Sequence, residues 1–361
     1  MPSHHILTIL VFVFSTLVAY ALIRPLIRWA FKNGFVVTPR DREVSIPPSV
    51  RKASHGYRIP LTGGLSILVP FMLSMLLARL VFPGLFANPE AERMFWFLLV
   101  GCVGFAVVGL IDDVRHLDYR LRFLFPVLII AALLFFTVMG HVLVLPGGYR
   151  TDIGVFEAVV LLVWVLGLSH SVNLVDGLDG SAAGIMAIAC VWLGLLIPDG
   201  NAVANVALTS LLASYIAFLA FNFHPARLFL GSTGTLFPGF AMAVLSIWPG
   251  MPGLPNHFFA YAVLVLAVPL ADMALVFFIR LWHGKNPFTT DSWHIHDRVL
   301  RTGASRKQAA WVIWGLAFVC GLVAYLSFRG LLPFLMAALM VAAIVGGFYL
   351  VVMRRIRRLS H

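Results

Sequence analysis

Two short acidic motifs interrupt an otherwise apolar chain. Asp112 and Asp113 follow the apolar run 109–111, and Asp176 and Asp179 lie in the run 173–180, which begins with Asn173. Carboxylates at the ends of membrane helices are costly unless they bind a cation. An i, i+3 spacing on a helical turn would place Asp176 and Asp179 on one face, within reach of one metal ion. Oxygen ligands of this kind suit Mg²⁺, so the motifs predict metal-assisted chemistry at a membrane surface.

Each acidic motif also has a structural interpretation. Asp112 and Asp113 could be neutralised by the arginines that follow them at 115, 120 and 122, although the helix macrodipole disfavours an acid pair at a C-terminus. Asp179 could instead stabilise the N-terminus of a helix that begins at Ser181. Asp272 lies in the middle of an apolar run, where an acid is either functional or a buried hydrogen-bonding group between helices.

Two further polar segments could bind phosphate. Gly231 and Ser232 lie in the turn 229–235, whose backbone N–H groups could cradle a phosphate, but such turns are also ordinary connections between membrane helices. His294 and His296, spaced i, i+2, point the same way only in extended structure, which predicts a loop there. With Arg298 they offer cations or acid–base groups; structural histidines remain an alternative, and zinc is disfavoured because no cysteine accompanies them.

Composition identifies the class of protein. The 361 residues are 61% hydrophobic and 11% charged, with a mean hydropathy of +0.95, whereas soluble domains are about half apolar and a quarter charged. This indicates a polytopic membrane protein in the lipid bilayer. The net charge of +11 fits basic loops on one side of a membrane, so nucleic acid is not expected as a partner. Cys102, Cys190 and Cys320 lie in apolar runs without metal-binding spacing.

We predict an all-α polytopic membrane protein, with residues 1–361 forming a single integral membrane domain of about eleven transmembrane helices. The predicted spans cover residues 6–24, 61–82, 95–112, 121–141, 155–173, 181–197, 202–222, 233–249, 259–281, 309–328 and 331–353, and the eighth is the weakest because Pro238 and Gly239 interrupt it.

The charges predict the orientation. With the N-terminus outside and the C-terminus in the cytoplasm, 22 of the 26 Lys and Arg residues lie inside. The four outside are Arg79, Arg93, Arg150 and Arg329. Every polar motif described above then falls on the cytoplasmic side. The predicted active-site face comprises the loops 25–60, 113–122, 174–180, 223–232 and 282–308.

The ordered set of motifs resembles the polyprenyl-phosphate N-acetylhexosamine-1-phosphate transferases of glycosyltransferase family 4. That family includes the undecaprenyl-phosphate N-acetylglucosamine-1-phosphate transferases, which the motifs resemble most, and the phospho-N-acetylmuramoyl-pentapeptide translocase. The resemblance covers most of the chain. It rests on the runs 51–64, 112–113, 173–180, 229–235, 287–288, 294–296 and 305–308.

The resemblance implies a phosphoglycosyl transferase reaction. Undecaprenyl phosphate would attack the β-phosphorus of a UDP-N-acetylhexosamine, with N-acetylglucosamine the first expectation for the sugar, to give a lipid-pyrophosphoryl sugar and UMP. The enzyme would lie in the inner (cytoplasmic) membrane with its site facing the cytoplasm. It would initiate a cell-surface glycan, such as the O-antigen of lipopolysaccharide or another cell-wall polymer. Mg²⁺, or alternatively Mn²⁺, would be the cofactor, and whether the chain forms a homodimer stays open.

The resemblance also assigns roles to residues. The expected catalytic residues are Asp112, Asp113, Asp176, Asp179, His294 and His296, of which Asp113 and Asp176 would serve the metal. The expected substrate-binding residues are Lys52, Arg58, Asn173, Gly231, Ser232 and Arg298.

Two positions depart from the family pattern. Ser232 stands where the typical run Gly-Asp-x-Gly-Ser has an acid implicated in magnesium binding, and Asp297 stands where the N-acetylglucosamine branch often has a third histidine. A hydroxyl can ligate Mg²⁺ but lacks the charge. The alternative to an active transferase is therefore an impaired member that binds lipid phosphate or nucleotide-sugar. An ion-coupled transporter is disfavoured, since the acids lie at one interface without repeat symmetry.

Overall fold

The protein is almost entirely helical over the part of the chain that the structure describes. This computed structural model describes residues 4–37, 58–136, 143–144, 150–151, 155–197, 201–248, 258–286 and 293–359. Within those ranges the helices are α1 (His4–Asn33), α2 (Gly63–Val81), α3 (Pro89–Arg115), α4 (Tyr119–Phe136), α5 (Val155–Leu174), α6 (Ser181–Leu196), α7 (Ala202–Asn222), α8 (Gly231–Ile247), α9 (Phe258–Val265), α10 (Ala267–Trp282), α11 (Ile295–Arg301), α12 (Arg306–Phe328) and α13 (Phe334–Leu359).

The strands are short. A 3-10 turn covers Pro83–Phe86, and four strands of two residues each form two antiparallel pairs. In the first pair, β1 (Val36–Val37) lies beside β2 (Ile59–Pro60), and in the second β3 (Leu143–Val144) lies beside β4 (Arg150–Thr151).

Ten of the eleven predicted spans each overlap one helix, whereas the span 259–281 overlaps two, α9 and α10, which meet at 72°. Among the described residues, six helices are long and apolar enough to cross a membrane, or seven if α9 and α10 count as one span. Three further apolar helices are shorter. The protein is therefore a multi-pass membrane protein, and the number eleven and the orientation remain predictions.

Three predicted loops are shorter than expected. α1 continues to Asn33, so the predicted loop 25–60 is wrong over its first nine residues. α3 ends only at Arg115 and α4 begins at Tyr119, which leaves three residues of the predicted loop 113–122 outside helices. α11 lies inside the predicted loop 282–308.

The eighth predicted span, residues 233–249, was expected to be the weakest, yet it corresponds to α8, the central helix of the fold. α8 is buried over nearly its whole length and packs against α3 and α5. Pro238 has no N–H to donate to the carbonyl of Gly234, and the hydroxyl of Tyr215 donates to that carbonyl instead, at 3.2 Å. A proline is tolerated inside a membrane helix when a neighbour satisfies the freed group in this way. At 17 residues α8 is about 26 Å long, which suffices for a helix enclosed by protein.

Three helix ends meet at one place. The N-terminus of α2, the last turn of α3 and the N-terminus of α8 touch through backbone atoms at Gly64 and Gly109. A Cβ at Gly109 would lie 2.5 Å from the Cα of Thr233, and one at Gly64 would overlap the backbone of Gly234. The segment before α2 also pairs with the turn before α8, since the N–H groups of Gly64 and Phe229 bind the carbonyls of Leu230 and Pro60 respectively. Small residues at these crossings let the helix ends approach closely.

We expect the substitution Gly109→Ala to destabilise the protein by about 1 to 3 kcal/mol, because an added methyl group forces α3 and α8 apart. Gly315→Ala in α12 is the matched control, since a Cβ there meets nothing within 4 Å and alanine favours a helix over glycine. Thermal unfolding in detergent, followed by tryptophan fluorescence, measures both. Equal melting temperatures for the two variants would contradict the close contact.

Candidate active site

Asp112 is buried and its carboxylate joins two elements. Oδ1 accepts hydrogen bonds from Nη2 (2.7 Å) and Nε (3.1 Å) of Arg122 and from the backbone N–H of Leu117 (3.0 Å). Oδ2 accepts one from the hydroxyl of Ser232 at 2.5 Å. The arginine neutralisation considered from the sequence is therefore present, and it is Arg122 that supplies it to Asp112. Two of the five N–H donors of Arg122 are engaged in this way.

Asp113 caps the N-terminus of α8 from a different helix. Its Oδ1 accepts from the backbone N–H of Ser232 at 2.6 Å, and its Oδ2 accepts from the N–H (3.0 Å) and the hydroxyl (2.8 Å) of Thr233. These N–H groups belong to the first turn of a helix, where no intrahelical acceptor exists. A carboxylate there also faces the positive end of the helix dipole. The turn at Gly231, with φ +73, brings α8 onto Asp113.

Asn173 connects the end of α5 with the same turn. Its Nδ2 donates to Oγ1 of Thr235 at 2.8 Å and to Oγ of Ser232 at 3.4 Å. The hydroxyl of Ser232 thus donates to Asp112 and accepts from Asn173. The structure therefore brings together Asp112, Asp113, Asn173 and Ser232, which lie up to 120 residues apart in the sequence.

Asp179 is bound by partners that its spacing from Asp176 does not reveal. Both are buried in the turn between α5 and α6. The carboxylate of Asp179 is bound by Nδ1 of His224 at 2.7 Å and by the backbone N–H of Ala226 at 3.2 Å. Asp179 therefore fixes the loop after α7 through its Oδ2, and a cation shared with Asp176 stays a prediction. Asp176 stays beside Asn173, whose carbonyl accepts its N–H at 3.3 Å.

The two histidines adjoin the Asp176 turn. The rings of His294 and His296 are parallel, at 4°, with centroids 5.9 Å apart. A Cβ added to Gly177 would overlap the His296 ring, so that ring lies directly against the backbone next to Asp176. The His296 ring therefore packs on the turn that holds Asp176 and Asp179.

The loop predicted around the histidines is only partly correct. α11 begins at Ile295, so residues from 295 to 301 are helical, whereas His294 keeps an extended backbone with φ −68 and ψ 160. His294 is buried, its Nδ1 lies 2.8 Å from Oδ2 of Asp272, and its Nε2 lies 3.4 Å from Nη2 of Arg280. His296 lies 3.5 Å from the Asp297 carboxylate.

Two of the expected substrate-binding residues make no contact with the carboxylates described above among the hydrogen bonds described here. Arg298 is buried with its Nε donating to the carbonyl of Trp293 and its guanidinium over the ring of Tyr349, at 5.7 Å, on α13. Its role in substrate binding stays a prediction. Arg58 is exposed next to β2, and Lys52 lies outside the described residues.

Sequence reasoning missed Arg280 and His224 as parts of the site. Arg280 was counted only among the Lys and Arg residues on the inside, although it is buried near the C-terminal end of α10. His224 follows an apolar helix in a short connection, and nothing in its own spacing points to Asp179. A buried cation at the end of a membrane helix is the one signal that could have identified Arg280, because such a group is costly without a partner.

The donor atoms fit a magnesium ion that is shared with a phosphate rather than enclosed by protein. Asp113 accepts three hydrogen bonds, and a carboxylate offers about four lone-pair positions, so one position remains. Over the ranges that the structure describes, no three His, Cys, Asp or Glu side chains converge as metal ligands. Mg²⁺ is normally held by one or two carboxylates, substrate phosphates and waters, which needs no such cage.

The comparisons with known proteins all point to one family. Residues 95–250 match the model of glycosyl transferase family 4. The chain is 30% identical over 311 residues, 77% of this chain and 73% of the relative, to the decaprenyl-phosphate N-acetylglucosaminephosphotransferase of Mycobacterium leprae. It is 26% identical over 328 residues to the probable undecaprenyl-phosphate N-acetylglucosaminyl 1-phosphate transferase of Bacillus subtilis, covering 88% and 85% of the two chains. A phospho-N-acetylmuramoyl-pentapeptide-transferase of Listeria monocytogenes is 28% identical over 270 residues, covering 71% and 81%.

We expect Asp113→Ala to destabilise the protein, because it leaves two backbone N–H groups of α8 without their acceptor. Each unsatisfied buried donor costs about 1 to 3 kcal/mol. Asp118→Ala is the control, since Asp118 is an exposed acid five residues further on. The comparison uses thermal melting in detergent. Equal melting temperatures for Asp113→Ala and Asp118→Ala would show that Asp113 does not hold the N-terminus of α8.

Proposed function

The chain belongs to glycosyl transferase family 4, and from this premise we propose that it transfers N-acetylhexosamine-1-phosphate from a UDP-sugar to a polyprenyl phosphate and releases UMP. The sugar is N-acetylglucosamine and the acceptor undecaprenyl phosphate in this proposal. The observation that carries it is the continuous set of contacts from Asp112 and Asp113 through Ser232 and Asn173 to the turn where Gly177 meets His296. Carboxylates and cationic side chains converge there, which is what two phosphate-bearing substrates require.

The cations would hold the phosphates. Arg122 and Arg280 flank the site, each positioned by a neighbour: Arg122 by the Asp112 carboxylate and Arg280 by the ring of His294. Guanidinium groups bind phosphate oxygens in a bidentate manner, and a partner that orients them reduces the entropy lost on binding. The two guanidinium groups therefore suit a lipid phosphate on one side of the site and a pyrophosphate on the other.

Asp112 would act through Arg122 rather than as a base. Its carboxylate already accepts four hydrogen bonds. The second pKa of a phosphate monoester is about 6, so the lipid phosphate is largely ionised at neutral pH without a base. The proposed role of Asp112 is to hold Arg122 and Ser232 in place for the attacking phosphate.

The surface beside Asp112 suits an isoprenoid chain. Leu110, Ile111 and Val114 on α3 and Leu121 and Leu124 on α4 expose between about a third and a half of their surface. This apolar surface flanks the Asp112–Arg122 pair, so an amphiphile could place its phosphate at Arg122 and its hydrocarbon along α3 and α4. The arrangement supports a lipid phosphate, more than a soluble one, as the acceptor.

A magnesium ion, or manganese in its place, would be held by Asp113 and Asp176 together with substrate phosphates. When bound, it would neutralise charge on the pyrophosphate and aid the departure of UMP. Ser232 lies between the two acids in the chain of contacts and offers a hydroxyl, which already donates to Asp112. Asp113 would therefore serve both the ion and the N-terminus of α8. In this proposal the site lies on the cytoplasmic side of the inner membrane.

A second candidate function follows from Ser232. Without the usual acid at this position, the chain could bind lipid phosphate or nucleotide-sugar without efficient turnover. In that case an added carboxylate at 232 would complete the metal ligands and raise the rate, whereas in an active enzyme it would crowd Asp112 and Asp113 with a third negative charge.

The test is UMP release by purified protein with undecaprenyl phosphate, Mg²⁺ and a panel of UDP-sugars. We expect release that depends on the lipid and is greatest with UDP-N-acetylglucosamine. No UMP with any sugar, while a family member with Asp at the Ser232 position reacts alongside, would contradict an active transferase.

Two substitutions at Ser232 decide between the candidates. We expect Ser232→Ala to lower kcat about ten- to a hundredfold, because a hydrogen bond to a charged group contributes about 1.5 to 3 kcal/mol. Ser232→Asp should change kcat less than about tenfold in an active enzyme. A large gain with Ser232→Asp over an almost inactive wild type would instead support the impaired member.

A further inference from the structure

Asp272 is a fully buried acid outside the group of carboxylates described above. Its Oδ2 lies 2.8 Å from Nδ1 of His294, and its Oδ1 accepts from the backbone N–H of Ile295 at 2.7 Å and from the hydroxyl of Tyr349 at 2.8 Å. Three elements therefore meet at one carboxylate: α10, the start of α11, and α13. A buried carboxylate with this many donors holds its charge at low cost.

These contacts determine which nitrogen of His294 carries the proton. A carboxylate oxygen only accepts hydrogen bonds, so Nδ1 of His294 must donate to Asp272. Nε2 is then the nitrogen on the opposite edge of the ring, where it lies 3.4 Å from Nη2 of Arg280. Asp272 and Arg280 are eight residues apart on α10, about 12 Å along its axis, and the imidazole bridges them.

We propose that Asp272 is a positioning residue that acts through His294. It fixes the ring with the proton on Nδ1, so that the lone pair of Nε2 accepts from Nη2 of Arg280 and orients that guanidinium toward a phosphate of the nucleotide-sugar. The assignment rests on the proposed function. Arg280 touches the substrate, whereas Asp272 acts on it only through His294.

A purely structural role for Asp272 would predict something different. If the carboxylate only joined α10 to α13, its hydrogen bond with Tyr349 would matter as much as the one with His294. If it positions the ring, the contact with His294 carries the effect on turnover, and the contact with Tyr349 contributes less. The tautomer of His294 tests the contact with Asp272 itself, because a ring protonated on Nε2 could not donate to the carboxylate from Nδ1.

A double-mutant cycle tests the coupling. We expect Asp272→Asn to lower kcat about a hundredfold, with the affinity for UDP-N-acetylglucosamine changed less than about threefold, because the amide would offer N–H to Nδ1 and favour the other tautomer. His294→Gln should cost about as much. The double variant should lose little more than either single one, since Asp272 has no effect without the ring. If the loss of kcat in the double variant equalled the product of the losses in the two single variants, the proposal would be overturned.

Tyr349→Phe is the matched control. It removes one hydrogen bond to the same carboxylate and leaves the His294 contact, so we expect at most about a tenfold loss of kcat. A loss as large as that of Asp272→Asn would favour the structural role. Thermal melting of all four variants shows whether each is folded.

The tautomer of His294 can be measured without an activity assay. In ¹⁵N-histidine spectra of the full chain in lipid nanodiscs, with the His294 signals assigned by their absence in His294→Gln, we expect the neutral ring protonated on Nδ1 in the wild type and in Tyr349→Phe. Asp272→Asn should move the proton to Nε2. A wild-type ring protonated on Nε2 would overturn the proposal even if Asp272→Asn failed to fold. Absence of UMP release by the wild type would contradict the proposed function alone, since these spectra test the tautomer that Asp272 imposes on His294 without any substrate.

Discussion

The structure depends on the cap that Asp113 forms on a helix other than its own. Asp113 lies in the last turn of α3, where the dipole of its own helix, about half a negative charge, disfavours an acid. It is stabilised because the N-terminus of α8 meets it there and supplies two backbone N–H groups and a hydroxyl. The same contact brings the hydroxyl of Ser232 to Asp112. One interaction thus seats the central helix and sets the distance between the acids and the turn before α8.

The rest of the site follows from how tightly the central helix is enclosed. α3 and α5 pack on α8, and the end of α5 carries Asn173 to the hydroxyls of Ser232 and Thr235. The turn that follows α5 then presents Asp176 and Gly177 to the histidines. Asp179 and His224 tie the loop after α7 to the same turn. Carboxylates and cations thus converge at helix ends, where backbone groups and water can stabilise charge beside the lipid.

Most of the helices and part of the candidate site could be predicted from the sequence, because apolar runs and acids at helix ends are local signals. Ten of the eleven predicted spans each overlap one helix, the ninth overlaps α9 and α10, and Asp112, Asp113, Asn173 and Ser232 meet at one place. What the sequence did not reveal are tertiary partners that no local pattern encodes. Pro238 marked α8 as weak because Tyr215, which satisfies the freed carbonyl, is 23 residues away in the chain. Asp179 was paired with Asp176 by spacing, yet His224 binds it. Arg298 was assigned to phosphate from its neighbours in sequence, whereas Tyr349 lies under it.

The central claim is that polar segments from five parts of the chain form one phosphate-binding site at one face of the membrane. The most direct measurement is an experimental density map of the full chain in lipid nanodiscs with UDP-N-acetylglucosamine and Mg²⁺. The account predicts diphosphate density between the Asp113–Asp176 side of the site and the His294–Arg280 side, with the uridine on the same face. Nucleotide density at the opposite face, or remote from Asp176 and His294, would contradict it.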